Sequence, residues 1–507
     1  MSHLPILPVI IPLFAGALLA MIPGNRLALK RTISLAAMLT QIPLAVALML
    51  QACDGISVYL LGNWPAPFGI VLVVDRLSAL MLLTTSVLST AALAYAVLGD
   101  DEAGRGFHAL FQFQIMGING AFLTGDVFNL FVFFEVLLIA SYGLLLHGRL
   151  PKRIRSGLHY LILNIVGSSL FLIAVGTLYG ITGTLNMADM AGRVASVSAP
   201  DAPLVGAAGL LLMLVFCLKA AAFPLYFWLP RAYASAAAPV AALFAIMTKV
   251  GLYAILRINT LVFSAKAGPL AMLANDWLWP VALVTLVLGA IGVLAADALR
   301  RLIAYLIIIS IGTLLAGVAL GTPSALVAAL YYLVHSTWIT GALFLLAGIL
   351  VRVRGSNIAD RLIAGPPLPA PMLLGSLFLI ASLSIAGLPP LSGFIGKLLL
   401  LEAAGISAGA AGLYVTVLCG SLFAIIALSR AGSTLFWRYD AAEVPAAAPA
   451  ALRVWPVIAL LAASPLLVIF AQPLLGYLEA TAAQLLEPAD YIAQVLSALP
   501  VHQGGAP

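Results

Sequence analysis

The chain has 507 residues, of which 63% are hydrophobic and 8% charged, and its formal net charge is +6. A soluble domain carries about 25% charged residues, so water is excluded as the main solvent of this protein. The positive charge invites a nucleic-acid partner, but its distribution, given below, excludes one. At 1.5 Å per residue, about 20 apolar residues cross a bilayer, and about fourteen such stretches follow one another here. They lie near 4–22, 32–51, 70–98, 107–124, 127–147, 157–181, 203–223, 237–260, 277–296, 301–320, 325–351, 372–401, 408–436 and 454–475. Barrel strands are about ten residues long and alternate in polarity. These runs are longer and uniformly apolar, which predicts an all-α integral membrane protein.

The first stretch has no basic region before it and ends at Ile22-Pro23-Gly24-Asn25-Arg26 without a small-residue cleavage site. It is read as a retained helix, not a removed signal peptide. Of the 24 Lys and Arg residues, 17 fall in loops that follow odd-numbered helices, from Arg26 to Arg453. Arg76, Arg193, Arg257 and Lys266 fall on the opposite side. Cytoplasmic loops are enriched in Lys and Arg, so the pattern predicts both termini on the outer side. The remaining three lysines are inside the membrane. Cys53, Cys217 and Cys419 form no CxxC pair, which points to packing and away from metal or redox chemistry. Tyr439–Pro449 is rich in Pro and Ala and is the one boundary expected before the last span. The segment after Gln472 is expected to rest at the membrane surface as a terminal helix.

Two apolar runs contain helix breakers. One is Lys219-Ala-Ala-Ala-Phe-Pro224-Leu-Tyr-Phe-Trp-Leu-Pro230. The other is Ser384-Ile-Ala-Gly-Leu-Pro389-Pro390-Leu-Ser-Gly-Phe-Ile-Gly-Lys397. Proline removes an intrahelical hydrogen bond and clashes with the preceding turn. Within a bilayer, freed carbonyls are tolerated where the backbone is buried in protein or lines a cavity. The breaks fall in the seventh and twelfth helices. An odd offset inverts the second copy, and paired interruptions in inverted halves point to a transporter-type site.

A charge at a helix centre costs about 2.5–3.5 kcal/mol on insertion scales, so buried ionisable residues are functional candidates. Glu135 is the only acid deep in a span, with no Lys or Arg at i±3 or i±4, so its partner must come from another helix. Lys219 sits one turn before Pro224. Burial disfavours a lysine's charge and a nearby carboxylate favours it, so a lysine beside a movable partner can gain and lose a proton. Lys249 lies mid-helix near Thr248 and Tyr253. His335 lies in Tyr331-Tyr-Leu-Val-His-Ser-Thr-Trp. A lone buried histidine is more often a packing group, but this one stands in series with the lysines and has proton-shuttle chemistry. Lys397 follows the second break. Asp75, Arg76 and Asp126 lie at helix ends, where solvation is the default. His3, His108, His147 and His502 are read as interfacial, and His159 as edging into the sixth helix. No Walker loop, HExxH, nucleophile elbow or dinucleotide fingerprint occurs in a suitable context, so neither cofactor nor metal is expected.

The stretch Gly125-Asp-Val-Phe-Asn-Leu-Phe-Val-Phe-Phe-Glu-Val-Leu-Leu-Ile-Ala-Ser-Tyr-Gly-Leu resembles the D-type subunits of Mrp-type multisubunit cation/proton antiporters. So do Gly62-Asn-Trp-Pro-Ala-Pro-Phe-Gly-Ile, Val74-Asp-Arg-Leu-Ser, Lys219-Ala-Ala-Ala-Phe-Pro-Leu with Trp228-Leu-Pro, and Leu388-Pro-Pro-Leu-Ser-Gly-Phe-Ile-Gly-Lys. The superfamily includes antiporter-like subunits of respiratory complex I and of membrane-bound hydrogenases. The resemblance implies fourteen helices: 1–106 as three N-terminal helices, 107–260 and 276–438 as inverted five-helix repeats, and 439–507 as linker, last span and tail. It implies a relay in which Glu135, Lys219, Lys249 and Lys397 match the family positions and His335 matches less tightly. It further implies a non-enzymatic subunit exchanging protons for Na+ or K+, assembled with other Mrp-type subunits in a bacterial cytoplasmic membrane. The alternative is a proton-pumping subunit of a complex I-like or hydrogenase-type oxidoreductase.

Overall fold

The computed structural model describes residues 3–148, 151–405, 409–438 and 451–500. The Pro/Ala-rich segment 439–449 and His502 lie outside the described residues. The first helices are α1 (Leu7–Met21), α2 (Leu27–Asp54), α3 (Arg76–Ala96), α4 (Phe107–Leu123), α5 (Val127–Leu145), α6 (Pro151–Thr182) and α7 (Met187–Ala195). The central ones are α8 (Ala202–Ala220), α9 (Trp228–Ser235), α10 (Ala238–Phe244), α11 (Met247–Leu261), α12 (Asn275–Ala295), α13 (Leu299–Leu320) and α14 (Pro323–Ile358). The last are α15 (Pro371–Ala386), α16 (Ser392–Ala404), α17 (Ala410–Phe436), α18 (Ala451–Ile469), α19 (Ala471–Leu486) and α20 (Ala489–Leu496). Among the described residues, eleven helical stretches are long and apolar enough to cross a membrane, α10 and α11 counting together as Ala238–Leu261, or twelve if α18 and α19, bent by 83°, form one span.

The run 70–98, expected as one helix, opens instead as a strand. Val71–Val74 (β2) pairs antiparallel with Ser57–Leu60 (β1), Leu60 facing Val71 and Ser57 facing Val74. A buried four-residue apolar run with three valines suits a strand as well as a helix. Asp75 then ends it: its carboxylate accepts from Ser78 N at 2.8 Å, while Ser78 Oγ accepts from Asp75 N at 2.9 Å. That reciprocal cap sets the start of α3. Asp75 is only 1% exposed, so its expected solvation is wrong. Asp126 is likewise buried, capping α5 through Asn129 N at 2.7 Å.

Polar side chains register the outer helices of the bundle. Pro12 has no N–H to offer, so the Pro8 carbonyl is unclaimed within α1. Asn119 of α4 donates to it at 2.9 Å and to Gln41 of α2 at 3.2 Å. One end of the bundle carries the hairpin, α7 and α20. The other carries ion pairs: Asp101 with Arg31, Asp100 with Arg352 and Arg453, and Asp360 with Arg300. Helices α10 and α11 are buried along their whole length and form the centre of the packing.

Candidate functional site

The first break follows Lys219. Helix α8 ends at Ala221, which takes a left-handed conformation, and the chain turns through 221–227 before α9 begins at Trp228. Two of the backbone groups at this break are paired with side chains of the protein. Trp228 Nε1 donates to Leu218 O at 3.2 Å, and Phe223 N donates to Thr285 Oγ1 of α12 at 2.9 Å. Lys219, 5% exposed, stands in the last turn of α8. A cation there faces the negative end of the helix dipole. Its Nζ donates to Asn164 Oδ1 and Ser168 Oγ of α6, each at 3.4 Å, and lies 5.8 Å from the centre of the Phe134 ring.

Glu135 sits on α5, half-buried, and receives a short hydrogen bond from Ser168 Oγ. No direct Glu135–Lys219 ion pair forms among the described residues. The Ser168 hydroxyl stands between the two groups, contacting both. Expectation placed the carboxylate and the ammonium as a close pair. The structure makes them a pair joined through a hydroxyl, with Asn164 as a second acceptor. Asn164 and Ser168 recur four residues apart in an apolar helix. That polar pair on one face was the signal available in the sequence.

Lys249 lies just after an interruption at Ala245–Ile246, which separates α10 from α11. It is fully buried, and its Nζ has no hydrogen-bond partner among the described residues. Gly251 lets α11 touch α8. A β-carbon there would lie 2.5 Å from Ala220 N and 2.8 Å from the carbonyl carbon of Lys219. The helices bearing the two lysines therefore meet at backbone contact, two residues from Lys249.

The second break carries the other two candidates. Helix α15 ends at Ala386, and Gly387 follows with φ +84°. Lys397, on α16, sends its Nζ back to Ala386 O and to Ser421 Oγ of α17, each at 2.8 Å. Like Lys219, it places its charge at the carbonyl end of a half-helix. His335, on α14, is fully buried. Its Nδ1 is 2.7 Å from Ser392 Oγ, and its Nε2 has no hydrogen-bond partner among the described residues. Ser392, Ser384 and Ser464 form a hydroxyl cluster: Ser464 Oγ is 2.8 Å from Ser392 Oγ and accepts from Ser384 Oγ at 2.6 Å.

The five candidates thus fall into two groups with a gap. Glu135, Lys219 and Lys249 gather at the first break, and His335 and Lys397 at the second. No side-chain hydrogen bond links Lys249 to His335 among the described residues. Of the breaker residues, Pro224 lies in the first interruption, and Pro389 and Pro390 in the second. Sequence reasoning missed the serines and Asn164 that hold the charges, because such residues are unremarked in membrane helices. It also missed the partner of Arg257. That residue was counted with one set of loops, but it is 4% exposed and paired with Asp75.

Residues 124–424 match the family described as NADH:quinone oxidoreductase/Mrp antiporter, TM. The chain is 44% identical to a probable K(+)/H(+) antiporter D subunit of Rhizobium meliloti (strain 1021), covering 98% of each chain. It is 38% identical to the Na(+)/H(+) antiporter D subunit of Bacillus subtilis (strain 168), covering 98% of this chain and 100% of that one. Its fold superposes on a chain of the Mrp complex from Dietzia sp. DQ12-45-1b with a TM-score of 0.88 at 29% identity, covering 98% of this chain and 100% of that one.

Proposed function

The chain belongs to the NADH:quinone oxidoreductase/Mrp antiporter transmembrane family, and from that premise we propose that it is the proton-translocating, D-type subunit of a multisubunit Na+/H+ or K+/H+ antiporter. The observation that carries this reading is the Glu135–Ser168–Lys219 contact beside a broken helix. Membrane interiors penalise each of those charges, and a hydroxyl that donates to one and accepts from the other is a proton-transfer element. In the relay, Glu135 stabilises the charged form of Lys219. When the two part, Lys219 loses its proton toward Lys249. Passage continues by His335 to Lys397, with water bridging the gap between the groups. Lys249 Nζ, buried with no hydrogen-bond partner among the described residues, is a group such water would meet.

The same reading takes the seventeen-residue α4, the broken pair α15–α16 and the bent pair α18–α19 as one span each. Added to the eleven long helices, these give fourteen. Residues 107–260 and 276–438 are then the inverted repeats, and the ion-paired end faces the cytoplasm of a bacterium, with both termini outside. The partners are other Mrp-type subunits, and the exchanged ions are protons and Na+ or K+. The full-length relatives named as antiporter subunits favour this over a redox-driven pump. The test uses the assembled complex in everted vesicles. Glu135→Ala and Lys219→Ala are each expected to abolish cation-dependent proton exchange at unchanged expression and assembly. Normal exchange by both variants overturns the relay.

A further inference from the structure

Helix α11 carries a buried ion pair toward the hairpin end that the relay leaves unused. Lys249, Tyr253 and Arg257 are four residues apart, so they share one face and climb it by about 6 Å per step. Arg257 Nη2 lies 2.6 Å from Asp75 Oδ2, with 5% and 1% of the two side chains exposed. The guanidinium lies 5.3 Å from the centre of the Tyr253 ring and 5.1 Å from that of Tyr491. Its Nε and Nη2 both donate to the Tyr253 hydroxyl at 3.3 Å, and that hydroxyl donates to Phe122 O at 2.7 Å. Tyr491 comes from α20, the short helix beyond the last span, yet it is only 3% exposed.

Desolvation offsets much of the attraction within a buried ion pair, so stability alone is a weak reason to keep one. Placed on a pathway, a fixed arginine is a barrier to protons and cations. We propose that the Asp75–Arg257 pair, roofed by Tyr491, is the gate that closes the Lys249 side of the relay to the medium at the hairpin end. With the pair formed and the ring seated, that end admits no water to the Lys249 ammonium. Release of a proton in that direction requires Tyr491 to lift with α20 and Arg257 to part from Asp75. Helix α20 is suited to this, since it is only eight residues long and packs on the short α7 and on the hairpin strand β1. The gate rests on the reading of Lys249 as a relay member.

The experiment reconstitutes the whole complex in liposomes, imposes a pH gradient in buffer free of Na+ and K+, and follows its decay with an internal pH dye. Asp75→Asn and Tyr491→Ala are expected to assemble and to speed the decay several-fold. Adding Lys249→Ala to Tyr491→Ala should return the decay to the wild-type rate. Assembled variants that hold the gradient as wild type does overturn the gate, as does a leak that persists without Lys249. Should Asp75→Asn alone fail to assemble, Tyr491→Ala decides, and its own failure to assemble also counts against a lid, which assembly does not need. Failure of the relay itself reads differently: Lys249→Ala alone would then exchange normally.

Discussion

Ser168 is hydrogen-bonded to both Glu135 and Lys219. A hydrogen bond to a charged group contributes about 1.5–3 kcal/mol, and each 1.4 kcal/mol is about tenfold in an equilibrium. Ser168→Ala is therefore expected to slow exchange by about ten- to a hundredfold. Ser168→Thr, which keeps the hydroxyl, should stay near wild type. Cation-dependent quenching of a pH dye in vesicles reads both; equal rates in wild type and Ser168→Ala would make the bridge incidental. The charged candidates stood out in the sequence because hydrocarbon makes every Glu or Lys conspicuous. Ser168, Asn164 and Ser392 were not, because serine and asparagine satisfy themselves locally in many membrane helices. Only the fold tells which of them face a charge.

The breaks were legible as elements because Pro224 and Pro230, and Pro389 with Pro390, stand close together in runs that also carry a lysine, whereas the single prolines Pro12, Pro43 and Pro280 are carried inside continuous helices. The interruption at Ala245–Ile246 was not, since neither residue is a helix breaker. The strand Val71–Val74 was hidden by its own apolarity. Gly387 shows what a break demands of its sequence. Its φ of +84° suits only glycine at low cost, and a β-carbon there would lie 2.8 Å from Lys397 Cδ and 3.1 Å from Nζ. Gly387→Ala is expected to cost about 1–2 kcal/mol in backbone strain. It should also push the ammonium from Ala386 O, lowering both the melting temperature in detergent and the exchange rate. A variant as stable as wild type, but inactive, would place the whole effect on Lys397. A variant that is neither less stable nor slower would mean that α15 and α16 adjust freely about the break.

Across the whole molecule, the bias of basic residues to one end was visible in the sequence, but their pairing was not. Arg31 meets Asp101 across 70 residues, and Arg453 meets Asp100 across 353. These contacts join the ends of α2 and α18 to the loop before α4, so they lock helices that share no sequence neighbourhood. Burial alone would raise the Asp101 carboxyl, but the Arg31 guanidinium and the His108 ring beside it hold it down at about 2. An unfolded aspartate titrates near 3.9, so between these values the unfolded chain binds the extra proton. The contribution to stability, about 2 kcal/mol, is therefore complete above the unfolded value and is lost as pH falls toward 2. Asp101→Asn should lower the melting temperature in detergent at pH 7, and its gap from wild type should narrow steadily as the pH is taken from 5 to 3. A gap that stays constant over that range would assign the stabilisation to hydrogen bonds that asparagine fails to reproduce, and not to the carboxylate charge.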